Sequence, residues 1–225
     1  MRMLITSKRI ATFTDRYPLV GPIFWMVSVQ FFITQFIVAH NWATRYSLRN
    51  NTISDLGNTA CGVYSGRYVC SPLHAWMNAS FIVLGCTMVI GSVLIYHEFR
   101  HSRDTAIGFG FMALAGLGTV LVGIFAENTN ASLHELGAAL PFVVGNLALL
   151  VLGLALGLGP RFRIYTMLSG IIALIAFALF GAHMYLGFGE GGMERVVAYP
   201  QTIWLTMFGL YMSRNHYRSL KRRRA

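Results

Sequence analysis

Charge is what this chain has least of. Asp, Glu, Lys and Arg make up 12% of its 225 residues, about half the share of a typical soluble domain. With a mean hydropathy of +0.56, that scarcity excludes a disordered tail, a coiled coil and a collagen-like rod. Acids are rarest, 8 against 18 basic residues, for a formal charge of +10. In a soluble protein such a balance would point to nucleic acid; here it sits on a chain too apolar for that reading. Cysteine is also sparse. Three residues without a Cys-x-x-Cys pair exclude a disulfide-dense scaffold and argue against quinone-coupled thiol chemistry. No Gly-x-Ser-x-Gly elbow is present. No charged residue lies at the middle of any apolar run, which removes the usual ion and substrate groups of a coupled transporter.

What the chain does have is long apolar runs. A bilayer core of roughly 30 Å takes about 20 apolar residues per helix. Six segments meet that length: 18–40, 72–96, 105–126, 135–158, 164–186 and 194–213. The expectation is an all-α polytopic bundle of six membrane helices, a single integral membrane domain over 1–225, with one long connection at 41–71. The first run is longer than a signal-peptide core and no small-x-small cleavage site follows it, so it reads as a retained span. Gly153-x-x-x-Gly157 and the row Ala115, Thr119, Gly123 supply small faces for helix packing.

Placing the connections explains the charge. Arg45, Arg49, Arg67 and Arg195 fall on one side with Asp55, Glu127, Glu135, Glu190 and Glu194. The other fourteen basic residues share the opposite side with Asp15, Glu98 and Asp104. By the positive-inside rule the basic side, with both termini, is cytoplasmic. The protein is therefore expected in the plasma membrane, with lipids as its partners and no nucleic acid. The run Lys221 to Arg224 suits anionic lipid head groups.

The long loop 41–71 is then extracytoplasmic. An oxidising compartment favours a Cys61–Cys70 disulfide, which would close a small loop worth about 2–3 kcal/mol. Cys86, within the second span, reads as a small packing residue.

Polar chemistry gathers at the outer ends of the spans. His40, His74, His134 and His183 lie there with five of the eight acids. The chosen catalytic candidates are Asp55, His74, His134 and Glu194, with Asn78, Glu127 and Arg195 as substrate-binding residues. Three chemistries fit these residue types. A zinc site would draw on His74, His134 and His183 with Asp55 or Glu194, and would activate water. A metal-free site would use Ser54 or Ser71 as nucleophile, His74 or His134 as base, and Asp55 or Glu127 to orient it. A binding site would use Arg195 to grip a phosphate or carboxylate. Against all three stands a structural role, in which these groups only satisfy one another at the membrane surface.

Four strings carry a resemblance. Asn51-Thr-Ile-Ser-Asp-Leu-Gly57, Cys70-Ser-Pro-Leu-His74 with Met77-Asn78, His134-Glu-Leu-Gly137 and Gly192-Met-Glu-Arg195 occur in that order between apolar spans. From about Ile23 to Ser213 the chain resembles the multi-pass family known as domain of unknown function 998. The resemblance implies a six-span prokaryotic membrane protein and brings no reaction with it. The function expected from the residues is a polar outer pocket that binds, hydrolyses or transfers a lipid-like or envelope molecule. The alternative is a transporter, scaffold or sensor.

Overall fold

A computed structural model of the chain describes residues 2–99 and 102–224. Arg100 and His101 lie outside the described residues, as do the side chains of residues 2–8, Leu220, Arg223 and Arg224. In chain order the helices are α1 (Arg2–Arg16), α2 (Val20–Met26), α3 (Val29–His40), α4 (His74–Tyr96), α5 (Arg103–Ile124), α6 (Ala131–Ala139), α7 (Asn146–Ala155), α8 (Pro160–Gly181) and α9 (Gly189–Arg224). Between α3 and α4 the chain forms a 3₁₀ turn, Ser54–Gly57, and a hairpin of β1 (Gly62–Tyr64) and β2 (Arg67–Val69).

Among the described residues, five helical stretches are long and apolar enough to cross a membrane, not the expected six: Val20–His40, His74–Tyr96, Arg103–Ile124, Ala131–Ala155 and Pro160–Gly181. The expected span 194–213 lies inside α9, a helix of 36 residues. Glu194, Arg195, Gln201 and Thr202 keep its hydropathy down, and all four are buried against the bundle. Polar residues that face neighbouring helices need no apolar surroundings, so this helix carries a weak hydropathy signal.

The first span is broken. The chain tightens at Val27 and Ser28, where Ser28 N–H donates to the Trp25 carbonyl at 3.1 Å rather than to that of the residue before it. The fourth is continuous with a π-helical segment, Leu140–Gly145, between α6 and α7. Pro141 in that segment cannot donate to the helix ladder, which favours the wider turn. The fifth span begins at Pro160, in the first-turn position where proline is pre-organised. It ends at Gly181, five residues before the expected end, and leaves His183 exposed in a loop.

The chain is not all-α. Ser65 and Gly66 have φ of 46° and 76°, the positive pair that a tight hairpin turn requires. Val63 pairs with Tyr68 across it. Cys61 and Cys70 close the hairpin as a disulfide. Cys86, expected to pack, is free and exposed on α4.

Packing centres on α4 and α5, which meet through two glycines. A Cβ on Gly85 would lie 2.4 Å from the Gly116 carbonyl oxygen, and one on Gly116 would lie 2.7 Å from that of Gly85. Close backbone approach of this kind is what holds helices together without a hydrophobic drive. The expected small faces behave differently from one another. Gly153 packs against Met167 of α8, whereas Gly157 has open space around it. With φ of +58°, Gly157 follows the end of α7 as a left-handed cap. Toward the terminal end of the bundle, Trp25 of α2 stacks among Phe109, Trp204 and Phe208. Trp204 Nε1 donates to Thr166 Oγ1 at 2.8 Å and fastens α9 to α8.

Candidate functional site

At the opposite end, the loop 41–71 folds onto the bundle. Its segment 51–57 is held as a capped turn. Thr52 Oγ1 accepts from the Asp55 amide at 3.0 Å while Asp55 Oδ2 accepts from the Thr52 amide at 3.1 Å. This reciprocal pairing is a capping box. Asp55 is fully buried, and its charge is met by Arg67 of β2 through two bonds of 2.7 and 3.0 Å. Arg67 Nη1 reaches Glu190 at 2.6 Å. Burial works against the Arg67 charge, but these carboxylates outweigh it and hold the guanidinium above its ordinary value. Two carboxylates and one guanidinium thus lock the hairpin, the 3₁₀ turn and the start of α9.

Arg195 is a second anchor. Its Nη1 donates to the carbonyls of Leu48, Asn51 and Gly191 at 3.1, 2.8 and 2.7 Å, and its Nη2 donates to Tyr46. Tyr46 donates in turn to the Thr52 carbonyl at 2.9 Å. Burial raises the Tyr46 pKa, so the phenol keeps the proton that this bond needs. The loop sits so close to α9 that a Cβ on Gly191 would lie 2.0 Å from the Asn51 carbonyl oxygen. Arg195, expected to grip a substrate, therefore spends four of its bonds on the protein's own backbone and on Tyr46. Asn78 is similarly used, donating to the Gly57 carbonyl at 2.9 Å. Glu127 accepts from Asn58 Nδ2 at 2.9 Å. Burial, reinforced by the Asp55 carboxylate, pushes the Glu127 carboxyl up to about 9.

Three other side chains converge on one point, Ser54, His134 and Glu194, the last of which also holds the loop through the Ile53 amide. His134 lies in the first turn of α6, started by Asn130, whose side chain accepts from the Leu133 amide at 3.1 Å. Its Nδ1 lies 2.8 Å from the Phe125 carbonyl oxygen and its Nε2 lies 2.9 Å from Ser54 Oγ. A carbonyl only accepts, so Nδ1 carries the proton; in the neutral ring Nε2 is then free to take the Ser54 proton. On the other side of Ser54, Glu194 Oε1 lies 3.3 Å from the same hydroxyl. Glu194 Oε2 accepts from the Ile53 amide. Ser54 is thus shared between an imidazole and a buried carboxyl. It also lies on the wall of a narrow cavity of about 50 Å³, lined by Phe31, Phe81, Leu84, Met88, Val122 and Phe142 among others. A water needs about 10–15 Å³ of such space, so the cavity has room for a few waters or a few methylenes. The π-helical segment supplies Pro141 and Phe142 to it, in keeping with the tendency of such segments to occur at functional sites.

The expected zinc set does not assemble. His74 Nδ1 is bonded to the Ser71 carbonyl at 3.0 Å, and His183 to the Tyr185 hydroxyl at 3.0 Å. His134 has both nitrogens engaged as above. Among the described residues no group of three or more His, Cys, Asp or Glu is placed to hold a metal ion. His74 also bonds neither His134 nor Glu194, because its ring turns back over the start of its own helix. The two strings of the long loop and of α4 do meet, through Asn78 and through Ser71, whose Oγ donates to the Leu56 carbonyl at 2.7 Å.

Sequence reasoning offered Ser54 or Ser71 as nucleophile and did not choose between them. The signal for Ser54 is the position immediately before Asp55 in the capping box, where the turn presents the side chain away from the cap. Sequence reasoning also missed His97-Glu98-Phe99-Arg100-His101, which has His-Glu-x-x-His spacing. A metal site of that type needs both histidines on one helix, whereas α4 ends at Tyr96 and Arg100 and His101 lie outside the described residues.

The chain has no match among curated proteins or among solved structures. Over residues 26–211 it matches the family described as Protein of unknown function (DUF998), a stretch that takes in Ser54, His134, Glu194 and both anchoring arginines. This multi-pass membrane protein belongs to that family.

Proposed function

We propose that Ser54, His134 and Glu194 form a hydrolase or acyltransferase centre at the outer face of the membrane, acting on an ester or amide of a lipid-like molecule. The observation that carries the reading is the Ser54–His134 pair, with Nε2 2.9 Å from Oγ and Nδ1 held on the Phe125 carbonyl. A hydroxyl facing a bare imidazole nitrogen is the arrangement of an activated nucleophile. The ring is oriented by a backbone carbonyl instead of the carboxylate of a triad. In the first step Ser54 Oγ bonds to the substrate carbonyl carbon and its proton passes to His134 Nε2. As the ester bond breaks, that proton leaves on the departing alcohol. Water, or a second alcohol, then reverses the sequence to release the acyl group. Glu194, on the far side of Ser54 Oγ, is positioned to exchange a proton with the incoming water. The apolar cavity behind Ser54 supports a substrate with a hydrocarbon end.

In this reading α9 is a sixth span that crosses the plasma membrane. Both termini are cytoplasmic, the whole chain is one membrane domain, and Ser54 faces the envelope side. The charge asymmetry of the connections supports that orientation. Zinc has no role, since the residues do not fit it.

A long-chain alkyl fluorophosphonate tests the site. Attack by Ser54 forms an Oγ–P bond, expels fluoride and passes the hydroxyl proton to His134. The expected result is a mass increment on the Ser54 peptide, lost in Ser54→Ala. Labelling should slow by about 10²-fold or more in His134→Ala, the scale of general-base catalysis. A purely structural role is favoured by the fully paired state of Asp55, Arg67 and Asn78. Folded protein whose Ser54 the probe ignores would establish that role and sink the enzyme.

A further inference from the structure

A second cavity lies on the other side of the loop anchor, between α3 and α9. It measures about 360 Å³ and is walled by Phe32, Phe36, Ala39, Leu48 and Leu56, with Gln35, Arg195 and Tyr199 as its polar members and His40 and Tyr46 beside them. Ser54, His134 and Glu194 do not line it.

Its polar members are short of acceptors. Arg195 is 8% exposed and Gln35 6%, yet Arg195 Nε and Gln35 Nε2 have no hydrogen-bond partner. The Gln35 amide is oriented by Tyr199, whose hydroxyl donates to Gln35 Oε1 at 2.9 Å. The nitrogen is thereby left over as a donor. Arg195 has four bonds to carbonyls and to Tyr46, but among the described residues the ion pairs belong to Arg67. Glu194 lies near enough to favour the Arg195 charge, but its oxygens are turned to Ile53 and Ser54 and not to the guanidinium, and buried orphan donors are rare enough to require a reason. Both orphans are donors. The group that satisfies them is an anion with acceptor oxygens only, a carboxylate or a phosphate. The apolar walls, including Phe36 at 74% exposure, continue from that polar end along α3.

We propose that the α3–α9 cavity binds a single-chain amphiphile, with its anionic oxygen head group on Arg195 and Gln35 and its chain along Phe32, Phe36 and Ala39. The site is separate from Ser54 and does not depend on the chemistry proposed there. The two donors are sealed from water. Binding draws them toward the head group, so the loop anchored by Arg195 is expected to stiffen when the site fills.

The test uses the purified full chain in an uncharged detergent, with oleate, oleoyl lysophosphatidate and methyl oleate as probes. At least one anion should bind saturably, one per chain, and about tenfold tighter than the uncharged ester, the scale of one charge-assisted hydrogen bond. Preference between the two anions identifies a carboxylate or a phosphate ligand. Gln35→Leu removes the amide donors and Ala39→Phe fills the chain path. Each should weaken anion binding about tenfold in protein that still unfolds cooperatively, although Gln35→Leu also removes the acceptor of the Tyr199 hydroxyl; Ser54→Ala should leave anion binding unchanged. Arg195→Lys is a poorer test because Arg195 also anchors the loop. Equal binding of methyl oleate, no saturable binding of either anion, or unchanged binding in both variants overturns the proposal.

Discussion

Glu127 shows how burial sets chemistry at a single residue. Its carboxyl is pushed up to about 9 from an ordinary 4.5, so the folded protein holds that proton more tightly than the unfolded chain does. Linkage fixes the sign: the stabilisation is complete below about pH 4.5 and is lost as pH rises toward about 9. Thermal unfolding of the purified protein should therefore fall in temperature between about pH 6 and pH 9. Glu127→Gln keeps the Asn58 bond and should flatten that slope; parallel curves would refute the link. Arg67 is the opposite case. Arg67→Ala leaves Asp55 buried without its partner and should cost about 3–5 kcal/mol in chemical unfolding, part of it recovered when Asp55→Asn is added. Residue types and depth pointed to His134, Glu194 and Arg195. They could not say that His134 meets Ser54 while His74 folds back on Ser71, since that depends on the direction of each side chain. Arg195 was legible as a cation near the surface, but its backbone partners come from residues 48 and 51 of a distant loop.

At the scale of elements, the hairpin is a lever as well as a cover. Arg67 stands on β2, two residues from the pairing partner of Gly62 and three from Cys70, so the disulfide holds the guanidinium against Asp55 and Glu190. Replacing Cys61 and Cys70 by Ser should lower stability by about 2–3 kcal/mol. The same loss should follow from reductant in the native protein, and a reductant-insensitive unfolding curve would contradict it. Gly191→Ala should be worse than an ordinary exposed substitution. The new Cβ would meet the Asn51 backbone, and shifting a packed backbone costs about 1–3 kcal/mol or more; trypsin cleavage at Arg45 and Arg49 would report the loosened loop. The loop disulfide and the helix starts at His74, Arg103 and Pro160 were close to legible, because caps, prolines and compartment are local rules. The π-helical segment and the break at Val27–Ser28 were not. Both are small departures inside continuous apolar runs, where hydropathy carries no record of the ladder.

For the whole molecule, the proposed crossing of the bilayer by α9 is directly testable. In a background with Cys86→Ala, Thr59→Cys and Ser219→Cys should react with a membrane-impermeant thiol reagent from opposite sides. Labelling of both from one side would mean that α9 does not cross, and would overturn the proposed orientation. The buried aromatic cluster of Trp25, Trp204 and Phe208 ties α9 to α2 over the half of the helix farthest from Ser54. Glu194 and Arg195 tie it to the loop at the near end. One helix therefore connects the candidate centre, the second cavity and the core.

By itself the sequence determined that this is a multi-pass helical membrane protein with a lopsided distribution of charge, because long apolar runs and the placement of Lys and Arg are additive properties of composition. It also pointed to the Cys61–Cys70 disulfide, which the structure forms, and supplied the residue types available at one end. Only the tertiary structure decided which polar groups spend their bonds on anchoring and which do not. Asp55, Arg67, Asn78 and most of Arg195 go to the fold, leaving Ser54 between His134 and Glu194 and two donors facing the α3–α9 cavity. Hydrogen bonds are pairwise and directional, and those that join Ser54 to His134, Ser54 to Glu194 and Arg195 to Asn51 link positions 80, 140 and 144 residues apart. No window of sequence contains both partners.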